Sequence, residues 1–161
     1  MQAVTQSVVC EWSFSSRKNY ADPFGDVELD VVFTDEQGAS YRVPAFWAGS
    51  NLWRVRFAAP ARGEYSYRTV CSDESNADLH DIEGQFTATA YEGPNELMKL
   101  GPIRVSADKR HFQHADGTPF FWLADTEWFG LCNRLEWPGD FQTLTNDRAA
   151  KGFSVIQIVA G

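Results

Sequence analysis

Cysteine is scarce in this chain, and so is positive charge. The three cysteines, Cys10, Cys71 and Cys132, are odd in number and far apart, so they frame no disulfide scaffold and pair into no metal motif; buried, reduced thiols are expected. Fourteen Lys and Arg stand against 22 Asp and Glu, a net charge of -8 over 161 residues. That field repels phosphate backbones and anionic lipid, so neither nucleic acid nor a membrane is an expected partner. A neutral or basic partner fits better. No run of about 18 apolar residues is present to cross a bilayer. Met1 to Glu11 has neither the basic nor the apolar region of a signal peptide, which leaves the compartment open: cytoplasmic, or secreted with the signal removed. A phosphate-binding loop, a dinucleotide fingerprint, a nucleophile elbow and a zinc pattern are missing as well, so no cofactor is expected.

What the chain has in quantity is apolar and aromatic. It is 43% hydrophobic, with 6 Trp, 5 Tyr and 12 Phe, enough to bury a real core. From Val8 to Ala90 the dominant signal is alternation. Val27, Leu29, Val31 and Phe33 fall on one face of Asp26–Thr34, while Glu28, Asp30 and Thr34 fall on the other, as a half-buried strand requires. The same period marks Cys10–Phe14, Val43–Trp47, Trp53–Phe57, Tyr65–Thr69 and Phe86–Ala90. Turn formers such as Asp35-Glu36-Gln37-Gly38 and Pro60-Ala61-Arg62-Gly63 separate them. Six short strands with no helical period among them predict an immunoglobulin-like β-sandwich over residues 1–95. Trp12, Phe14, Val31, Phe33, Trp47, Val55, Phe57, Tyr65 and Phe86 are expected to point inward, Tyr65 as a corner tyrosine bonded back to the main chain. Three further features stand out. Trp47 or Trp53, beside the loop Gly49–Asn51, can form core or a sugar-binding platform. Arg54 and Arg56 share one face of a strand, suited to solvent or to ion pairs. Asp73, Glu74, Asp78 and Asp81, with His80 among them, sit in a polar loop without a calcium-loop signature.

After Ala90 the pattern changes. Tyr91–Asn95 reads as a linker, and Gly101–Val105 with His111–His114 as a small hairpin. Pro119–Ala124 is a continuous apolar run, the pattern of a strand covered on both faces. Pro138 to Lys151 carries Phe141, Leu144, Thr145, Arg148 and Ala149 at helical spacing, with Asp140 in the first turn and Gly152 after the last. Phe153–Val159 is again strand-like. Strand, helix and strand, both strands apolar, predict a parallel βαβ unit. His111 and His114, three apart on a strand, face opposite sides and lack a third ligand, so no metal site is expected.

These residues carry a resemblance. His111-Phe112, Asp116-Gly117-Thr118-Pro119-Phe120-Phe121, Ala124-Asp125-Thr126-Glu127-Trp128 and Asp147-Arg148-Ala149-Ala150-Lys151-Gly152-Phe153-Ser154-Val155-Ile156-Gln157 together resemble the opening of a bacterial glycoside hydrolase barrel of the apiosidase-like type. In that family an immunoglobulin-like domain of unknown function precedes the barrel. The first half resembles that domain through Asp22-Pro23-Phe24, Phe46-Trp47-Ala48-Gly49, Trp53-Arg54-Val55-Arg56-Phe57 and Gly63-Glu64-Tyr65-Ser66-Tyr67. The resemblance implies a mainly β chain: a sandwich over 1–95, then over 96–161 a truncated βαβ start of a TIM barrel. A complete barrel needs roughly 200 to 250 residues, far more than Phe120 to Gly161 supplies. The expectation is therefore an accessory fragment, inactive by itself, of a glycoside hydrolase acting on carbohydrate, with its catalytic carboxylates beyond Gly161. The alternative is a non-catalytic module that binds carbohydrate or protein.

Asp125, Glu127 and Trp128 are the candidate substrate-binding residues, since they follow the apolar strand where barrel enzymes gather functional groups. Asp125 and Glu127 are two apart and so share a side; a retaining glycosidase holds its carboxyls about 5 to 5.5 Å apart, but the resemblance puts the catalytic pair elsewhere. Asp125 fits a hydroxyl acceptor or a pocket-shaping role. Trp128 fits a flat platform for a sugar ring, and Trp122 fits the barrel core. Apolar strands with one covering helix leave edges that template association, so self-association through the strand ending at Gly161 is expected.

Overall fold

The computed structural model describes residues 2–159; the chain divides into two units, Met1–Pro102 and Ile103–Gly161. Unit 1 is built from β1 (Gln2–Thr5), β2 (Cys10–Ser15), α1 (Pro23–Asp26), β3 (Leu29–Asp35), β4 (Ser40–Pro44), β5 (Phe46–Trp47), β6 (Leu52–Phe57), β7 (Gly63–Cys71), β8 (Glu83–Thr89) and α2 (Glu96–Lys99). Its strands form a five-stranded sheet in the order β1-β8-β7-β3-β4 and a three-stranded sheet in the order β2-β6-β5. Every pair is antiparallel except β1 with β8. The alternation read from the sequence is the reason for the layering. Leu29, Val31 and Phe33 of one sheet and Trp12, Phe14, Trp53, Val55 and Phe57 of the other are buried in one shared cluster, where each large side chain is worth about 1.5 to 3 kcal/mol. Phe33 stacks on Phe57 at 4.2 Å, and Tyr65 on Phe86 at 5.1 Å. The Tyr65 hydroxyl donates to the Ala61 carbonyl at 3.0 Å, the expected corner bond.

One expected strand proves to be two. Val43–Trp47 crosses between the sheets: β4 ends at Pro44 in the five-stranded sheet, the Ala45 amide donates to the Leu29 carbonyl, and β5 begins at Phe46 in the other. Proline has no N–H to extend a ladder, and the crossing breaks the phase of the alternation. Trp47 therefore does not join the core as expected. It is 38% exposed, whereas Trp53, the other platform candidate, is buried.

The polar loop after β7 is pinned by charge. Asp73 pairs with Lys18 and accepts the hydroxyls of Tyr20 and Ser75; Asp78 takes the Arg17 guanidinium at 2.6 Å; Asp81 pairs with Arg68. Asn76 donates to Ser16 and Tyr20 and is itself buried, and Leu79 drops into the core. Arg54 and Arg56 both bind Glu11 on the neighbouring strand. Of the three cysteines expected to be buried, Cys71 is, and burial pushes its thiol above its ordinary pKa; Cys10 and Cys132 are only half-buried.

Unit 2 holds β9 (Ile103–Val105), β10 (Phe112–His114), β11 (Pro119–Phe120), β12 (Ala124–Glu127), α3 (Gly139–Ala150) and β13 (Val155–Ile158). β9, β10 and β11 make a small antiparallel sheet, and β12 pairs with β13 in parallel across α3. This is the strand–helix–strand order expected, with one correction. The apolar run Pro119–Ala124 is no single strand: its first two residues close the hairpin sheet and only Ala124 enters the parallel pair. No helix among the described residues is long and apolar enough to cross a membrane.

The Lys18 ammonium, with the Ser75 and Tyr20 hydroxyls, holds the Asp73 carboxyl well below the usual carboxylate range. A depressed folded-state pKa contributes stability that is present above about pH 4 and is lost as the pH falls towards the folded value. The thermal midpoint of unit 1 should thus be nearly flat from about pH 7 to pH 5 and drop below about pH 4. Asp73→Asn should lower the midpoint at neutral pH and make the acid limb shallower; an unchanged acid limb in calorimetry would remove Asp73 as its source.

Candidate functional site

The three candidate residues lie at the C-terminal end of β12, two of them in the strand and Trp128 in the turn that follows it. Asp125 and Glu127 belong to the strand, opposite Ile156 and Ile158 of β13. Side chains alternate along a strand, so both carboxylates share one side, and Ala124 and Thr126, which are exposed, take the other. The partner of Asp125 shows which side it is. Its carboxylate is paired with the Arg148 guanidinium on α3, which also reaches Asp147 at 2.7 Å and lies over the Phe153 ring. The Asp125 pairing raises the Arg148 pKa further above its ordinary value. The sequence grouped Arg148 with Phe141, Leu144, Thr145 and Ala149 at helical spacing; the first four are half-buried in the structure, and Ala149 is exposed. What the sequence did not supply was a partner. A lone charge on an otherwise inward-facing spacing is the signal that one exists.

Glu127 is 9% exposed, and neither carboxylate oxygen has a hydrogen-bond partner. It lies beneath the turn that follows β12. The Gly130 amide donates to the Glu127 carbonyl at 3.2 Å, and a Cβ at Gly130 would stand 3.1 Å from Glu127 Oε2. Only a glycine lets that turn close over the carboxylate without pushing on it. Trp128 opens the turn and is 68% exposed, so the strand end offers an indole to solvent above a shielded acid. Trp122 does not fill a core here as expected. It is exposed between β11 and β12 and packs at 5.2 Å on Phe112. His111 faces Asp108, and His114 is buried edge-on against Phe120 at 5.4 Å, so the two point apart. Among the described residues no three His, Cys, Asp or Glu side chains converge as a metal site.

Mainly β architecture, with a parallel strand–helix–strand segment that carries acids and an exposed indole at its first strand end, defines the class of chain. Residues 4–72 match the family described as domain of unknown function (DUF5060), and residues 106–161 match the family described as apiosidase-like, catalytic domain. The first match lies within unit 1 and the second within unit 2. A solved structure described as a "putative glycoside hydrolase" from Bacteroides vulgatus is similar in fold, with a TM-score of 0.71 and 23% identity over 98% of this chain. This chain spans 28% of that protein's length. No curated protein matches.

A carboxylate shut away from water with no donor costs free energy that a hydrocarbon does not. Glu127→Leu should stabilise unit 2 by about 1 to 3 kcal/mol, measured by urea denaturation of the 161-residue chain. A loss of stability would show that Glu127 has a partner in solution.

Proposed function

We propose that residues 1–95 are an immunoglobulin-like accessory β-sandwich and residues 96–161 the first strands and helix of a (β/α)₈ barrel, the chain being part of a glycoside hydrolase that acts on oligosaccharide or polysaccharide. The observation that carries the reading is the parallel β12–α3–β13 segment within the stretch matching the apiosidase-like catalytic domain. Functional groups of such barrels gather at the C-terminal strand ends, and Asp125, Glu127 and Trp128 are at one. Trp128 presents its ring as a platform for the C–H face of a sugar. Asp125, tied to Arg148, shapes the pocket and fixes the strand end against the helix. Glu127 supports the same site from below, beneath the turn that carries Trp128.

Hydrolysis needs two carboxyls on either side of a glycosidic bond. Asp125 is taken up by an arginine and Glu127 is enclosed, so this pair is unsuited to the work, and the catalytic acids belong to other strand ends of the longer protein. The 161-residue chain should show no hydrolysis of aryl glycosides, while a protein of the length of its Bacteroides relative should release reducing sugar from a glycan, with KM raised by Trp128→Ala. Hydrolysis by the short chain that Asp125→Asn abolishes would overturn the assignment of the acids. No glycan hydrolysis by the long protein would overturn the hydrolase reading.

The free edges of the β12–β13 pair belong to the same reading. Ile158 and Val159 are exposed, and unpaired apolar edges template association. Light scattering should find the 161-residue chain associated and residues 1–102 monomeric. Equal association of both would place the contact on unit 1.

A further inference from the structure

Unit 1 keeps almost all of its aromatic rings in the core, yet three rings on one side are left in solvent around a single concavity. Phe24 on α1 is 79% exposed, and Phe46 and Trp47 on β5 are partly so. With Glu28 and Asp30 they line a pocket of about 390 Å³ whose lining also includes the buried Trp53. A contiguous apolar patch at a concavity marks a ligand site more often than a lone exposed ring does.

Two of the rings are held in place. The Trp47 indole N–H donates to the Ser50 carbonyl at 2.7 Å, and the Arg56 guanidinium, fixed by Glu11, lies 5.0 Å from the Phe46 ring centroid. A rigid aromatic surface loses little entropy on binding. The polar groups around it are hydrogen-bonding ones. The Glu28 carboxylate is exposed; Asp30 binds Arg42 at 2.7 Å. Trp53 is 1% exposed, and its Nε1, a donor, has no partner. A buried indole N–H usually finds one.

We propose that this pocket is a binding subsite for a neutral sugar ring of a glycan. A pyranose has apolar C–H faces that pack on Phe24 and Trp47, and hydroxyls that donate to the carboxylates at the rim. Two acids at the rim and a net charge of -8 oppose uronates, sulfates and phosphates. The volume lies near the lower end of the range for small-molecule sites, roughly 300 to 1,000 Å³, which suits one or two rings and not a protein surface. This inference goes beyond the hydrolase reading and is read by binding alone, so either can fail without the other.

The test is affinity electrophoresis of the 161-residue chain through gels containing galactomannan, xyloglucan or arabinan, with polygalacturonate as the anionic probe. Retardation by at least one neutral glycan is expected, weakened about tenfold or more by Phe24→Ala and by Trp47→Ala, and unchanged by Val9→Ala, an exposed apolar side chain outside the pocket. Phe24 is so exposed that its removal should leave the thermal midpoint in place, which keeps the result readable if Trp47→Ala unfolds. The proposal is overturned by no retardation on any neutral glycan, by retardation that survives both ring deletions, by loss through Trp128→Ala alone, or by stronger retardation on polygalacturonate. Self-association that Phe24→Ala abolishes would overturn it too, since the occupant would then be a second copy.

Discussion

Contact between rings across the two sheets of unit 1 is the constraint from which its other features follow. Phe33 comes from the middle of one sheet and Phe57 from the end of β6 in the other, and their rings lie within 5° of parallel. Trp12 reaches both Phe33 and Phe86, and Phe86 in turn stacks on Tyr65. Aromatic pairs add about 0.5 to 1.5 kcal/mol beyond the area they bury, and here they also fix the spacing between sheets. With that spacing set, Leu79 has one place to go, the loop after β7 is drawn down, and its acids come within reach of Arg17, Lys18 and Tyr20. The charged network is a consequence of the apolar one.

Unit 2 is organised differently. Few of its side chains are fully enclosed: Phe120, His114, Ser106 and Glu127 are among them. Its order comes from backbone pairing, from the Ser154 hydroxyl bonded to the Phe121 carbonyl at 2.7 Å, and from the Asp125–Arg148 pair that ties β12 to α3. Phe121, Trp122, Phe129 and Trp137 are all exposed.

How much of this was legible in the sequence depends on range. Period-two patterning located β2, β3, β6, β7 and β8, because burial on one face is a local rule. The three-and-four spacing of Phe141, Leu144, Thr145 and Arg148 located α3 to within a residue at each end. What escaped was non-local. Whether Ala45 continues a strand or changes sheet is decided by the Leu29 carbonyl it meets, and nothing in Val43–Trp47 says so. β1 is short and paired in parallel with a strand more than eighty residues on, which no local period announces. At the site, the residues Asp125, Glu127 and Trp128 could be picked out by type and position, whereas the direction of the two acids needed the register of β12 against β13. The pocket beside Phe24, Phe46 and Trp47 depends on where β5 begins and on the approach of α1, neither of which is a local pattern.

The parallel pairing of β1 with β8 bears on how unit 1 responds to force. Gln2 lies beside Phe86 and Thr5 beside Thr89, the Gln6 amide donates to the Thr89 carbonyl, and the Thr89 hydroxyl donates to the Val4 carbonyl. Because the strands run the same way, tension applied between the start of β1 and the end of β8 slides one along the other and loads all their hydrogen bonds together. A hairpin pulled from its open end would give them up one at a time. β8 is also held on its far side by β7, so a tug on the segment after Thr89 meets two ladders at once. Unit 1 is thereby arranged so that tension between Gln2 and Thr89 is met in shear by a whole ladder and not bond by bond.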